Sequence, residues 1–268
     1  MRSAPLGARP PRFARRVAAF LLAGTLAAVL AGCGASVLPS VHSEPERLAL
    51  AKQAFRKREY TVAVELLKGY IANNAGGADV DQAVELLGET YLRQKSWGEA
   101  QVEFERLLRD YPESDSAGAA SYHLGEALWG QARGPDFDQE YTEKALAQWQ
   151  SYLSAYPGHW LGAQGEAHAQ LARARLARKL ADSGTLYLKL RRFDPARLYF
   201  RRVLDEYADT PAAVQAQLGL ALADALQGQR DQAIQELRDL QSRFPHARET
   251  REAAKELKHL ERHASKKK

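Results

Sequence analysis

The chain has 268 residues, with 38 Lys and Arg against 33 Asp and Glu, a formal charge of +5, and one cysteine. Residues 1–32 hold five of the arginines and no acid, so the rest of the chain carries 33 charges of each sign, which excludes the basic surface that a nucleic-acid-binding domain needs. A lone cysteine excludes an intramolecular disulfide, so packing alone must hold the core.

The first element in chain order is a leader. Arg9, Arg12, Arg15 and Arg16 precede an apolar run over residues 17–30, closed by Ala31 and Gly32. A basic segment, a short apolar segment and small residues are the three parts of a secretory signal peptide. The run is 14 residues, roughly 20 Å as a helix, short of the about 20 residues, or about 30 Å, that a bilayer core requires. The tetrapeptide Leu30-Ala31-Gly32-Cys33 resembles the bacterial lipobox. That resemblance implies cleavage of residues 1–32 and attachment of diacylglycerol to Cys33, a palmitate-type lipoprotein with a covalent lipid and no other cofactor. Gly34 stands where Asp would retain such a protein at the inner membrane. The implied location is the inner leaflet of the outer membrane, facing the periplasm. Residues 33–44 then form the lipidated cysteine and a tether, of which ten residues reach at most about 35 Å.

From residue 45 apolar residues recur at three- and four-residue spacing, which predicts helix after helix. The clearest unit covers residues 84–112, with Leu87-Gly88, Tyr91, Trp97, Ala100, Phe104 and Pro112. Its spacing matches the tetratricopeptide pattern, in which small residues mark a close crossing of two antiparallel helices and aromatics fill the space beside it. Pro112 ends the second helix. The frame recurs as Leu50-Ala51, Tyr60, Ala63 and Leu67, and as Leu124-Gly125, Ala145, Trp149, Leu153 and Pro157. It appears again as Gly184, Tyr187, Phe193, Ala196 and Phe200, and as Leu220-Ala221, Ala233, Leu237 and Pro245. The fold expected is therefore all-α, a tetratricopeptide-repeat solenoid of about five helix-turn-helix repeats.

The second-helix alanines Ala63, Ala100, Ala145, Ala196 and Ala233 are separated by 37, 45, 51 and 37 residues. An insertion over residues 131–140 accounts for the 45, and a proline-free stretch over residues 163–190 accounts for the 51. The latter predicts a long helix joining repeats 3 and 4. The domains expected are 45–157 for repeats 1–3, 158–263 for the linking helix and repeats 4–5, and 264–268 for a basic tail. Second helices end in Tyr111-Pro112, Tyr156-Pro157, Tyr207-Ala208 and Phe244-Pro245. Asp115 or Ser116 is the expected cap of the next helix, and Thr210 and Pro211 read as an N-cap and N1 pair.

Lipobox, tether, five repeats, the lengthened loop and the long helix together resemble the BamD/YfiO family, the lipoprotein subunit of the outer membrane β-barrel assembly machine. The segment 182–211, with Tyr187, Tyr199-Phe200 and Tyr207, carries most of the likeness. The resemblance implies a scaffold whose C-terminal repeats, residues 180–262, dock on a BamA-like barrel-forming core subunit, with other accessory lipoproteins alongside. Its N-terminal repeats are implied to meet unfolded outer membrane proteins. In the tetratricopeptide frame the groove-facing positions are Lys52, Phe55 and Arg56, then Glu89 and Arg93, then Tyr122, Glu126 and Trp129. Aromatics beside Arg and Lys suit an extended peptide with apolar side chains and a free carboxylate.

No phosphate-binding glycine loop, nucleophile elbow or His-Glu-x-x-His stands in the chain, and no enzyme is expected. No catalytic residue and no metal site is assigned; His259 and His263, four residues apart, read as a solvated helix face. Two alternatives belong to the same repeat class. A lipoprotein for type IV pilus or secretin assembly would repeat evenly near 34 residues. A YbgF-like periplasmic envelope coordinator would carry a coiled coil before its repeats, and none lies between Cys33 and Pro45.

Overall fold

A computed structural model describes residues 38–265. The leader, Cys33 and the Lys266–Lys268 tail lie outside the described residues. Among those described, the regular structure is eleven α-helices with no strand. They are α1 (Glu44–Arg56), α2 (Tyr60–Asn73), α3 (Val80–Gln94), α4 (Trp97–Asp110), α5 (Ala117–Gln131) and α6 (Glu140–Ala155), followed by α7 (Gly162–Lys189), α8 (Phe193–Glu206), α9 (Ala212–Leu226), α10 (Arg230–Arg243) and α11 (Arg248–Ser265). No helix of the described residues is long and apolar enough to cross a membrane.

Each helix packs on its successor, and α1 meets α3, α3 meets α5, α7 meets α9 and α9 meets α11. Alternate helices thus form one layer of a stack of antiparallel hairpins, the architecture of a tetratricopeptide solenoid. The small residues sit where the helices cross. A Cβ on Gly88 of α3 would lie 2.6 Å from the Phe104 ring of α4, and one on Gly184 of α7 would lie 2.6 Å from Phe200 of α8. Gly125 of α5 meets the indole of Trp149 of α6 in the same way. Ala63, Ala100, Ala145, Ala196 and Ala233 are all fully buried, as are Trp149, Phe104 and Phe200. Leucine or phenylalanine at the alanine sites would force the hairpins apart, at a cost of about 1–3 kcal/mol each.

The hairpin ends follow two rules. Tyr111, Tyr156, Tyr207 and Phe244 each occupy the C-cap of their helix, with the cap N–H bonded four residues back. At the opposite edge, Arg58, Lys95 and Arg191 turn the chain in left-handed backbone with φ of 64°, 60° and 53°, and Gly228 does so at 85°. The expected caps differ in detail. Ser116 holds the N-cap position of α5, but its hydroxyl donates to Glu85 of α3 in the preceding hairpin instead of accepting from its own helix. Pro211 is the N-cap of α9, and Thr210 lies one residue outside, donating its hydroxyl to the Tyr207 carbonyl.

The insertion forms the loop between α5 and α6. Its organiser is the buried Gln139, whose amide donates to the carbonyls of Gly134 at 2.9 Å and Phe137 at 3.0 Å, while its oxygen accepts from Thr142 at 2.9 Å. The loop is stitched to α7, since Lys179 donates to the Asp136 carbonyl and Arg175 to that of Arg133. The stretch after α6 is one helix, α7, of 28 residues.

The last helix of the described residues, α11, packs on α10 and α9. Its fully buried Ala253, with Leu257 and Leu260, closes the core built by Leu218, Ala221, Leu237 and Leu240. Most of its other side chains face solvent. One apolar stripe thus covers the core while the charged back of the helix faces away from it.

Candidate functional site

In the N-terminal half, α1, α3 and α5 line an open cavity of about 520 Å³, with the α6–α7 turn at one edge. Lys52, Phe55 and Arg56 form its α1 wall. They are three of the eight groove positions read from the repeat frame. The facing wall is acidic, with Asp81 and Glu85 from α3 and Asp115 at the entry to α5. Trp160, 72 % exposed, stands at the rim beside His159. Gly158, at φ 81°, makes the tight turn that places this pair, and the His159 carbonyl then accepts from Gly162 as α7 begins.

The acidic wall is held in place by hydroxyls. Ser114 donates to Asp81 at 2.6 Å and Ser116 to Glu85 at 2.5 Å. Burial pushes the Glu85 carboxyl up; the Ser116 hydrogen bond opposes this, and the charges of Glu89 and Asp81 add to the rise. The second Asp81 oxygen is buried with no partner among the described residues. Neither Lys52 nor Arg56 belongs to an ion pair of the described residues. The cavity therefore presents cations on one wall, carboxylates on the other and aromatic rings at its ends.

The other five frame positions do not line this cavity. Arg93 is exposed near the end of α3. Glu89 lies 3.7 Å from His123, which bonds Glu126 at 2.7 Å. Burial pushes the Glu126 carboxyl up, but the His123 hydrogen bond and charge outweigh it, so the group sits below its ordinary value. Tyr122 is only 4 % exposed; its hydroxyl meets His168 at 3.1 Å, and its ring packs on His168 and Tyr152. Burial and the neighbouring Glu126 both raise its phenol. Trp129 is half-buried between Trp149 and the Arg175 guanidinium, 3.5 Å from its ring. Lys52, Phe55 and Arg56 thus join the cavity, whereas Glu89, Tyr122, Glu126 and Trp129 join a polar-aromatic seam between α3, α5 and α7.

Sequence reasoning missed Asp81, Glu85, Asp115, His159 and Trp160. The i, i+4, i+8 spacing of Asp81, Glu85 and Glu89 is the one signal in the sequence, because it aligns three carboxylates on one face of α3. Trp160 gives none, since the repeat frame does not cover that turn. His159 titrates below its ordinary value, first through burial and second through the charge of His123.

Two tetratricopeptide-repeat profiles match residues 48–114 and 215–247. The profile of YfiO, described as an outer membrane lipoprotein, matches residues 89–224, half of the chain. The chain belongs to the YfiO family. The YfiO match takes in the α3–α5–α7 seam and the whole of α7, while Lys52, Phe55 and Arg56 fall in the first repeat match. No curated protein matches the sequence. Among solved structures, the chain is similar to a thermophilic TPR protein of Thermus thermophilus, at 20% identity over 80% of this chain and 98% of that one, with a TM-score of 0.36. It is similar to a tetratricopeptide repeat protein of Parabacteroides merdae, at 18% identity over 81% and 73% of the two chains, with a TM-score of 0.36. It is also similar to PilW, described as a type IV pilus biogenesis factor, at 15% identity over 80% and 100%, with a TM-score of 0.35.

Proposed function

We propose that this YfiO-family chain is a non-enzymatic scaffold of the β-barrel assembly machinery, anchored in the outer membrane through lipid on Cys33 and facing the periplasm. The match to the outer membrane lipoprotein family across residues 89–224 carries the proposal. The solenoid consists of five repeats, α1–α2 through α9–α10, with α7 joining the third to the fourth. Residues 180–262 dock the barrel-forming core subunit, and the N-terminal groove holds segments of unfolded outer membrane proteins. The layout of the groove suits such cargo. Phe55 and Trp160 offer rings to apolar side chains, and Lys52 and Arg56 offer charge to a carboxylate. Asp81, Glu85 and Asp115 give a crossing segment a direction, because they favour cationic side chains at the opposite wall.

Affinity purification with this chain as bait, from detergent-solubilised envelopes, tests the proposal. A β-barrel protein with periplasmic repeats is expected in the eluate; a secretin or an envelope-division complex in its place overturns the assignment. Cys33→Ala is expected to leave the outer membrane fraction, and firm retention there refutes lipid anchoring.

A further inference from the structure

A second and larger cavity, of about 750 Å³, lies in the C-terminal half between α7, α9 and α11. This volume is within the range of functional pockets, roughly 300–1,000 Å³. Its walls divide by chemistry. Leu188 of α7 and Leu218 and Leu222 of α9 give an apolar floor, completed by the Gly219 backbone, whose Cβ position is taken by the Phe200 ring of α8. Thr185 and Gln215 add a polar strip, in which the Gln215 amide donates to the Thr185 hydroxyl at 3.2 Å. The Gln215 carbonyl oxygen accepts no hydrogen bond from the described residues, which leaves it an acceptor for a peptide N–H.

The third wall is the start of α11, with Arg248, Arg251 and Lys255 spaced i, i+3, i+7 and so on one face. Glu249 stands beside them in the first turn, where a carboxylate offsets the partial positive charge of a helix N-terminus, and Glu252 follows one turn on. None of these five charged side chains enters an ion pair among the described residues, although Arg238 of the neighbouring α10 pairs with Glu261 of α11 at 2.6 Å. Three exposed cations on one face against two carboxylates leave a net positive wall over an apolar floor with a hydrogen-bonding strip.

We propose that this cavity is a docking groove for an extended, acidic segment of a partner protein. Its leucines take alternate apolar side chains, Gln215 takes a main-chain N–H, and Arg248, Arg251 and Lys255 take the intervening carboxylates. The proposal rests on the reading of the C-terminal half as the docking half and supplies the chemistry of what docks. It concerns a surface separate from the N-terminal groove.

The test is fluorescence anisotropy on the full chain in detergent with two labelled peptides, one alternating Leu with Asp and the other alternating Leu with Lys. The acidic peptide is expected to bind and the basic one not. Arg251→Glu combined with Lys255→Glu should weaken the acidic peptide by about tenfold or more and confer binding of the basic one. Both positions are exposed, so circular dichroism is expected to be unchanged, and the milder Arg251→Gln with Lys255→Gln covers the case where it is not. Equal binding of both peptides, binding indifferent to these substitutions, or loss caused by Lys52→Glu with Arg56→Glu instead would overturn the proposal. If the peptide result holds while no barrel-forming protein co-purifies with the chain, the machinery assignment fails and the groove stands.

Discussion

Arg58, Lys95 and Arg191 occupy left-handed backbone at hairpin turns where Gly228 serves the fourth such turn. A side chain there places Cβ against the following carbonyl, a strain of about 1–2 kcal/mol that glycine avoids, less what glycine loses in backbone entropy. Arg58→Gly, Lys95→Gly and Arg191→Gly are each expected to raise stability by about 0.5–1 kcal/mol in urea unfolding; a loss would mean that the cation makes a stabilising contact in the native state. Such turns are hard to read from sequence, because Lys and Arg look like ordinary surface residues there. The crossing residues were legible for the opposite reason. Gly88, Gly125 and Gly184 have no side chain because Phe104, Trp149 and Phe200 fill that volume, and the pairing imposes a fixed spacing on both helices. Tyr122 shows where the frame stops: its position faces the inside of the stack, but α7 brings His168 over it and buries it.

Between elements, α8, α9 and α10 are joined by a buried polar link. Asp224, 2 % exposed, accepts from the Arg197 guanidinium, whose Nε lies 2.9 Å from the carboxylate. Glu236 of α10 stands next to them with one oxygen buried and unpartnered among the described residues. Burial raises its carboxyl above the ordinary 4.5; the Gln232 hydrogen bond opposes, and the charge of Asp224 adds. The folded chain therefore holds this proton more tightly than the unfolded chain does. On that account stability falls as pH rises from about 4.5 through the raised native value, and the cost is absent below about 4.5. Glu236→Gln carries no such cost, so its melting temperature is expected to gain on that of the parent between about pH 4 and 8. A difference that stays constant over that range would show that the carboxyl ionises freely. None of this link was readable beforehand, because charged residues at helical spacing look the same whether they face a neighbouring hairpin or water. The insertion at 131–140 was readable from the uneven repeat spacing, yet Gln139 as its organiser was not, since its four partners are set only once the loop closes.

At the scale of the whole chain, each hairpin leans on its neighbours, so stability is passed along the stack in steps. Deleting residues 248–265 strips the cover from Leu218, Leu237 and Leu240. Faster amide exchange is expected in α9 and α10, with α3 to α6 keeping their protection; uniform loss across the chain would show a single cooperative unit instead. The fold class followed from the small-residue frame, whereas the two cavities did not, because each is built from three helices, joined in the N-terminal one by a turn, that lie far apart in sequence.

The uninterrupted α7 has a mechanical meaning. Its 28 residues make a rod of about 42 Å. Trp160 precedes its first turn, and Leu188 stands in its last. The two cavities border one stiff shaft and share its orientation: under the proposed function, torque applied at one end would be delivered to the other, with no joint between them to absorb it.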